Sequence, residues 1–84
     1  MDIHVFFEKW VRDYGLTRRE QEVAVYWMQD HTYKEIAALL TISEFTTRTI
    51  IHNIHLKMGV KSKASLLIKM VKEKTLTEPI LTKR

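Results

Sequence analysis

Cysteine is missing from this sequence altogether, and with it go disulfides, zinc–thiolate sites and cysteine nucleophiles. A cysteine-free chain fits a reducing cytoplasm, which is the expected compartment. Glycine and proline are scarce: two glycines and one proline leave few interruptions and favour an all-helical chain. No apolar run approaches the ~18 residues that a membrane span requires. Met1-Asp2-Ile3-His4 also lacks the basic start and long apolar stretch of a signal peptide. Neither a membrane partner nor export is expected. Ser-His-Asp sets, paired carboxylates and glycine-rich phosphate loops are absent as well, so the chain is expected to be no enzyme and to need no cofactor.

What remains is an 84-residue chain, one domain at most, with an ordinary 45% of hydrophobic residues. A core of that size is marginal without good helix packing or a partner. The net charge is +4, and its distribution is more telling than its total. Residues 1–30 carry four basic against six acidic side chains, and residues 31–56 balance Lys34 and Arg48 against Glu35 and Glu44. The excess falls on residues 57–74, where Lys57, Lys61, Lys63, Lys69, Lys72 and Lys74 face only Glu73. A lysine-rich stretch can be a plain solvated helix face. Its position directly after the helix described next favours contact with phosphates.

Residues 32 to 59 hold two helices joined by three residues. Thr32 followed by Glu35 is a capping box, in which hydroxyl and carboxylate reciprocally satisfy orphan amide donors. Ser43 caps a second helix, over 44–58, that runs until Gly59 supplies a left-handed stop. A short helix, a tight turn and a longer polar-faced helix form a unit able to place a reading helix in the DNA major groove. Around it, residues 3, 6, 7, 10, 11 and 14 follow the spacing of one helical face, closed by Gly15. Thr17 with Glu20 opens a helix through about Asp30, with Val23, Ala24, Trp27 and Met28 inward. Ser62 caps a last helix, 63–74, with Ala64, Leu67, Ile68 and Val71 on one stripe that Leu66 and Met70 widen. The expected organisation is an N-terminal amphipathic helix over 1–15, a helix-turn-helix domain over 16–74 and a tail over 75–84. His52 and His55 stand three apart, a spacing that metal sites use, but no cysteine or nearby carboxylate completes a ligand set. No metal is expected.

From Leu16 onward the order is Leu-Thr-Arg-Arg-Glu-Gln-Glu-Val, Lys-Glu-Ile-Ala, Ile-Ser-Glu, Thr-x-Arg and Asn-Ile-x-x-Lys-Met-Gly-Val-Lys-Ser. This resembles the LuxR/GerE-type DNA-binding domain of bacterial regulators over about residues 16–74. The resemblance implies an all-α fold, four helices of helix-turn-helix type, here with one additional N-terminal amphipathic helix. It implies a transcriptional regulator that binds double-stranded DNA, commonly as a homodimer through its last helix. The residues themselves orient the reading helix. Ile51, Ile54 and Met58 recur at helical spacing and must be buried, which puts Phe45, Arg48, Thr49 and His52 on the opposite face.

Carried over by position, the family's base-reading side chains fall on Arg48, Thr49 and His52. Arg48 can donate two hydrogen bonds to a guanine edge, and its competing partner is Glu44 one turn earlier. Thr46, Lys57, Lys34 and Lys61 match candidates for the DNA backbone, where contacts fix register but carry no sequence information. Leu66 and Met70 are the dimer-interface candidates; the alternative packs them against the N-terminal helix. The sequence departs from the family pattern at Thr47, Ile50, Phe45 and Leu56, leaving the reading helix less basic than usual. Phe45 is a candidate apolar contact to DNA or to a protein. The aromatic face of the N-terminal helix has three roles open to it: covering the domain's own core, pairing with its copy in a dimer, or docking on an upstream regulatory domain. Two alternatives to the DNA-binding reading stay open. One is an adaptor or antagonist that binds another regulator through Phe45, Ile50 and Leu56. The other, disfavoured by the Lys-Met-Gly-Val-Lys-Ser segment, is a sigma-factor promoter-reading domain.

Overall fold

Helix starts fall where the short polar side chains put them. In the computed structural model, which describes residues 2–75, Asp2 Oδ1 accepts from the His4 amide at 2.9 Å and opens α1, Ile3–Val11. Both capping boxes close. Thr17 and Glu20 exchange bonds of 3.1 and 2.9 Å at the start of α2, Arg18–Met28. Thr32 and Glu35 do the same, at the same distances, for α3, Tyr33–Leu40. Ser43 Oγ accepts from the Thr46 amide at 2.9 Å for α4, Glu44–Met58, and Ser62 Oγ from the Ser65 amide at 3.0 Å for α5, Lys63–Thr75. Each such cap contributes about 1 kcal/mol to its helix. Gly59 ends α4 at φ 68°, as its position in the sequence predicts.

The turn between α3 and α4 is tighter than its composition suggests. Thr41 sits at φ 58°, a left-handed conformation that a β-branched residue adopts only at a cost. The Ile42 amide, bonded to the Ala37 carbonyl at 2.9 Å, holds it there. The first helix also departs from expectation. Its regular hydrogen bonding stops at Val11, four residues before Gly15, and the turn that follows swings Tyr14 toward α5.

α2 lies at the centre, in contact with each of the other four helices. The core combines Phe7, Trp10 and Val11 of α1 with Val23, Val25 and Met28 of α2, Ile36 of α3, and Ile51, Ile54 and Met58 of α4. The N-terminal helix thus covers the same core as the rest, the first of the roles its aromatic face allows. Thr47 is fully buried, and its hydroxyl donates to the Ser43 carbonyl at 3.0 Å, which offsets the cost of placing it among apolar groups. Trp27, expected inward, is only half-buried, because its indole N–H turns to the rim to find an acceptor.

α5 corrects the sequence reading. Leu66 and Met70, the dimer-interface candidates, are 0% and 9% exposed and belong to the protomer's own core. Ile68 and Val71, expected inward, are 54% and 53% exposed. Glu73 decides between the two stripes. One turn beyond Met70, it accepts from Trp10 Nε1 at 3.0 Å and from the Tyr14 hydroxyl, and this turns the Leu66–Met70 face toward α1 and α2. Of the tail placed at 75–84, Thr75 closes α5 and the remainder lies outside the described residues.

Candidate nucleic-acid interface

α4 has two faces. Thr47, Ile51, Ile54 and Met58 point into the core, and Phe45, Arg48, Thr49, His52 and Leu56 stand on the outside. The three base-reading candidates therefore share one exposed surface, as the periodicity requires. Thr46 is exposed in the first turn of α4, where the helix dipole favours an anion; its own amide is held by Ser43 Oγ. Lys34 is exposed in the first turn of α3, and Lys61 in the link between α4 and α5. Phe45 is 78% and Leu56 66% exposed, whereas Ile50 is half-buried against the core. Only the first two offer apolar surface to a partner.

Arg48 does not meet Glu44: among the described residues no ion pair joins the two. Its guanidinium carbon lies 4.6 Å over the Tyr33 ring. Tyr33 stacks on Trp27 with centroids 5.2 Å apart and planes 13° from parallel. The Lys63 ammonium lies 4.1 Å from the Trp27 ring and 3.0 Å from Asp30 Oδ1. Trp27 Nε1 donates to His55 Nε2 at 3.1 Å. Trp27, Tyr33, Arg48, His52, His55 and Lys61 thereby line one open groove of about 480 Å³, built from four helices and a loop. Tyr33, Trp27 and His55 were missing from the sequence-level site. Their only sequence signal is Tyr33, an aromatic residue in the exposed first turn of the helix preceding the reading helix.

Lys57, a candidate for the DNA backbone, has its ammonium 2.8 Å from Oε1 of Glu20, a buried carboxylate on α2, while its side chain stays 41% exposed. Burial raises the Glu20 pKa, but hydrogen bonds from Lys57 and Thr17 and the lysine charge outweigh it, leaving the group below its usual value of 4.5. His55 is also shifted. Burial, and secondarily the neighbouring His52, hold it below the usual 6.5, in the neutral form that accepts from Trp27.

Both shifts act in one direction. For His55 the unfolded chain takes up its proton first, so stability declines as pH falls below about 6.5 toward the depressed folded value. For Glu20 the stabilisation is complete above about 4.5 and disappears as pH falls through the lowered folded value. The urea midpoint should therefore fall between about pH 7.5 and about pH 3. His55→Gln should flatten the upper stretch of that profile and Glu20→Gln the lower. A midpoint that rises on acidification would contradict both assignments.

Among the described residues no group of three or more His, Cys, Asp or Glu is placed to hold a metal ion, and no helix is long and apolar enough to cross a membrane. Comparison with known proteins adds to this geometry. The family model for bacterial regulatory proteins of the luxR family, GerE, matches residues 14–70. The chain is 44% identical over 57 residues to the spore germination protein GerE of Bacillus subtilis (strain 168), an alignment covering 68% of this chain and 77% of that protein.

Proposed function

The chain belongs to the luxR family of bacterial regulatory proteins, a family of DNA-binding transcriptional regulators rather than of enzymes, and we propose that it reads operator DNA in the major groove through α4. Arg48, Thr49 and His52 face the base edges. Lys34, Thr46 and Lys61 set the register on the phosphates, and Phe45 packs against thymine methyl groups. The observation that carries this reading is the exposed outer face of α4, which brings Arg48, Thr49 and His52 together opposite a face closed into the core. The site of action is the cytoplasm, where the DNA is. Electrophoretic retardation of a random-sequence duplex across a salt series tests it. Affinity should fall linearly on a log–log plot, with a slope of roughly −0.9 per phosphate neutralised. Binding that is absent at low salt would reject the proposal.

The active form is a dimer joined through the exposed Ile68 edge of α5, in place of the buried Leu66 and Met70. A two-fold pair of reading helices about 34 Å apart meets successive major grooves and predicts an operator of two half-sites. Ile68→Glu should give a folded monomer that binds a half-site and loses the full operator's extra affinity. A monomeric mass in solution for both proteins would remove the dimer, and a dimeric mass for both would remove the Ile68 edge from it. The exposure of Phe45 and Leu56, 78% and 66%, favours one second reading, an adaptor that binds another regulator through this face. An adaptor shows no salt-dependent retardation of DNA, and the same series separates the two.

A further inference from the structure

A reading arginine has a physical difficulty that its neighbours have to solve. The guanidinium recognises guanine with two N–H groups on one edge, and both must be unoccupied and aimed at the groove. The nearest carboxylate in sequence, Glu44, would occupy that edge, and leaving the side chain free would give up rotamer entropy on binding. A cation–π contact avoids both. The guanidinium lies over the Tyr33 ring with its carbon 4.6 Å from the centroid, and such a contact, unlike one with a carboxylate, ties up no N–H group in a hydrogen bond. Tyr33 is itself held, stacked 5.2 Å from Trp27, and Trp27 is held by its bond to His55 on α4. The second cation of the cluster, Lys63, sits on Trp27 and is neutralised by Asp30, so it leaves the Tyr33 surface to Arg48.

From this geometry we propose that Tyr33, backed by Trp27, is a positioning residue for base recognition, one that sets the direction of the Arg48 guanidinium before DNA arrives. The proposal rests on Arg48 reading a base and adds what aims it. Sequence preference then depends on a residue of α3 that touches no base. The indole of α2 and the imidazole of α4 hold the platform, so the packing of α2 and α3 against α4 reaches the reading surface through these rings.

The experiment is a double-mutant cycle on Tyr33 and Arg48. The wild-type protein selects a preferred duplex from a random library, and affinities are measured for that duplex and its scrambled counterpart. Tyr33→Leu, which keeps apolar bulk without the aromatic face, should reduce the ratio of the two affinities by roughly two- to five-fold, as an exposed cation–π contact implies. Tyr33→Phe should keep the wild-type ratio, and neither should change the salt slope. In an Arg48→Ala background, Tyr33→Leu should change nothing further. An unchanged ratio for Tyr33→Leu, or an equal loss in both backgrounds, overturns the positioning role. If Arg48→Ala alone keeps the full preference, the base-reading assignment falls and positioning falls with it. If Arg48→Ala loses preference and Tyr33→Leu does not, only positioning falls.

Discussion

Arg48→Ala is expected to remove about 1–3 kcal/mol of discrimination between the preferred duplex and a scrambled one while leaving the fold intact. The argument has two halves. A bidentate arginine–guanine pair is lost only on the correct sequence, so affinity for the specific duplex falls toward the non-specific level and affinity for random DNA falls much less. Arg48 is exposed and lies outside the core, so its truncation should change the unfolding free energy by no more than ~0.5 kcal/mol. Lys34→Ala or Lys61→Ala should give the opposite pattern, weakening binding to every sequence alike and reducing the salt slope by about one. Competition binding with the two duplexes measures the split. Equal binding of both duplexes by wild type and mutant alike would contradict base reading by Arg48.

The largest effect on stability is expected from Ile54→Ala. Ile54 is completely buried, in the middle of α4 on the face opposite Arg48. Removing its outer carbons forfeits their transfer free energy and leaves a cavity that neighbours fixed by Ile36, Val23 and Met58 fill only in part. The expected loss is about 2–5 kcal/mol. Domains of this kind have about 5–15 kcal/mol in total, so the loss is a substantial share of that margin. Urea denaturation should show a lower midpoint with an unchanged slope, and thermal unfolding a midpoint lower by at least about 8 °C. DNA preference should persist in whatever fraction remains folded. A mutant that unfolds normally but no longer discriminates between sequences would place Ile54 in recognition rather than in the core.

The parts of this architecture that were legible in the sequence are those set by neighbours within one turn. The Thr17–Glu20 and Thr32–Glu35 pairs, Ser43 and Gly59 are local signals, and the helix limits follow them. The division of α4 into a core face and an outer face was legible for the same reason, because Ile51, Ile54 and Met58 repeat at helical spacing. What escaped the sequence depends on partners far along the chain. α5 carries apolar residues on two sides, and the choice between them is made by Glu73 meeting Trp10, 63 residues away. No local pattern announced the ion pair of Lys57 with Glu20, 37 residues earlier. The Trp27–Tyr33–Arg48 stack joins three helices, and no periodicity within one of them announces it.

The placement of the two tryptophans divides the molecule optically. Trp10 is 6% exposed in the core, with its indole N–H on Glu73, and its emission follows unfolding. Trp27 lies at the rim of the groove, between a stacked tyrosine, an imidazole acceptor and an ammonium group, and its emission follows whatever enters that groove. With Trp10 replaced by phenylalanine, the single remaining tryptophan should report occupancy of the groove without any label. With Trp27 replaced instead, the signal is blind to DNA and sees only the fold. One chain thus carries separate intrinsic gauges for its stability and for its recognition.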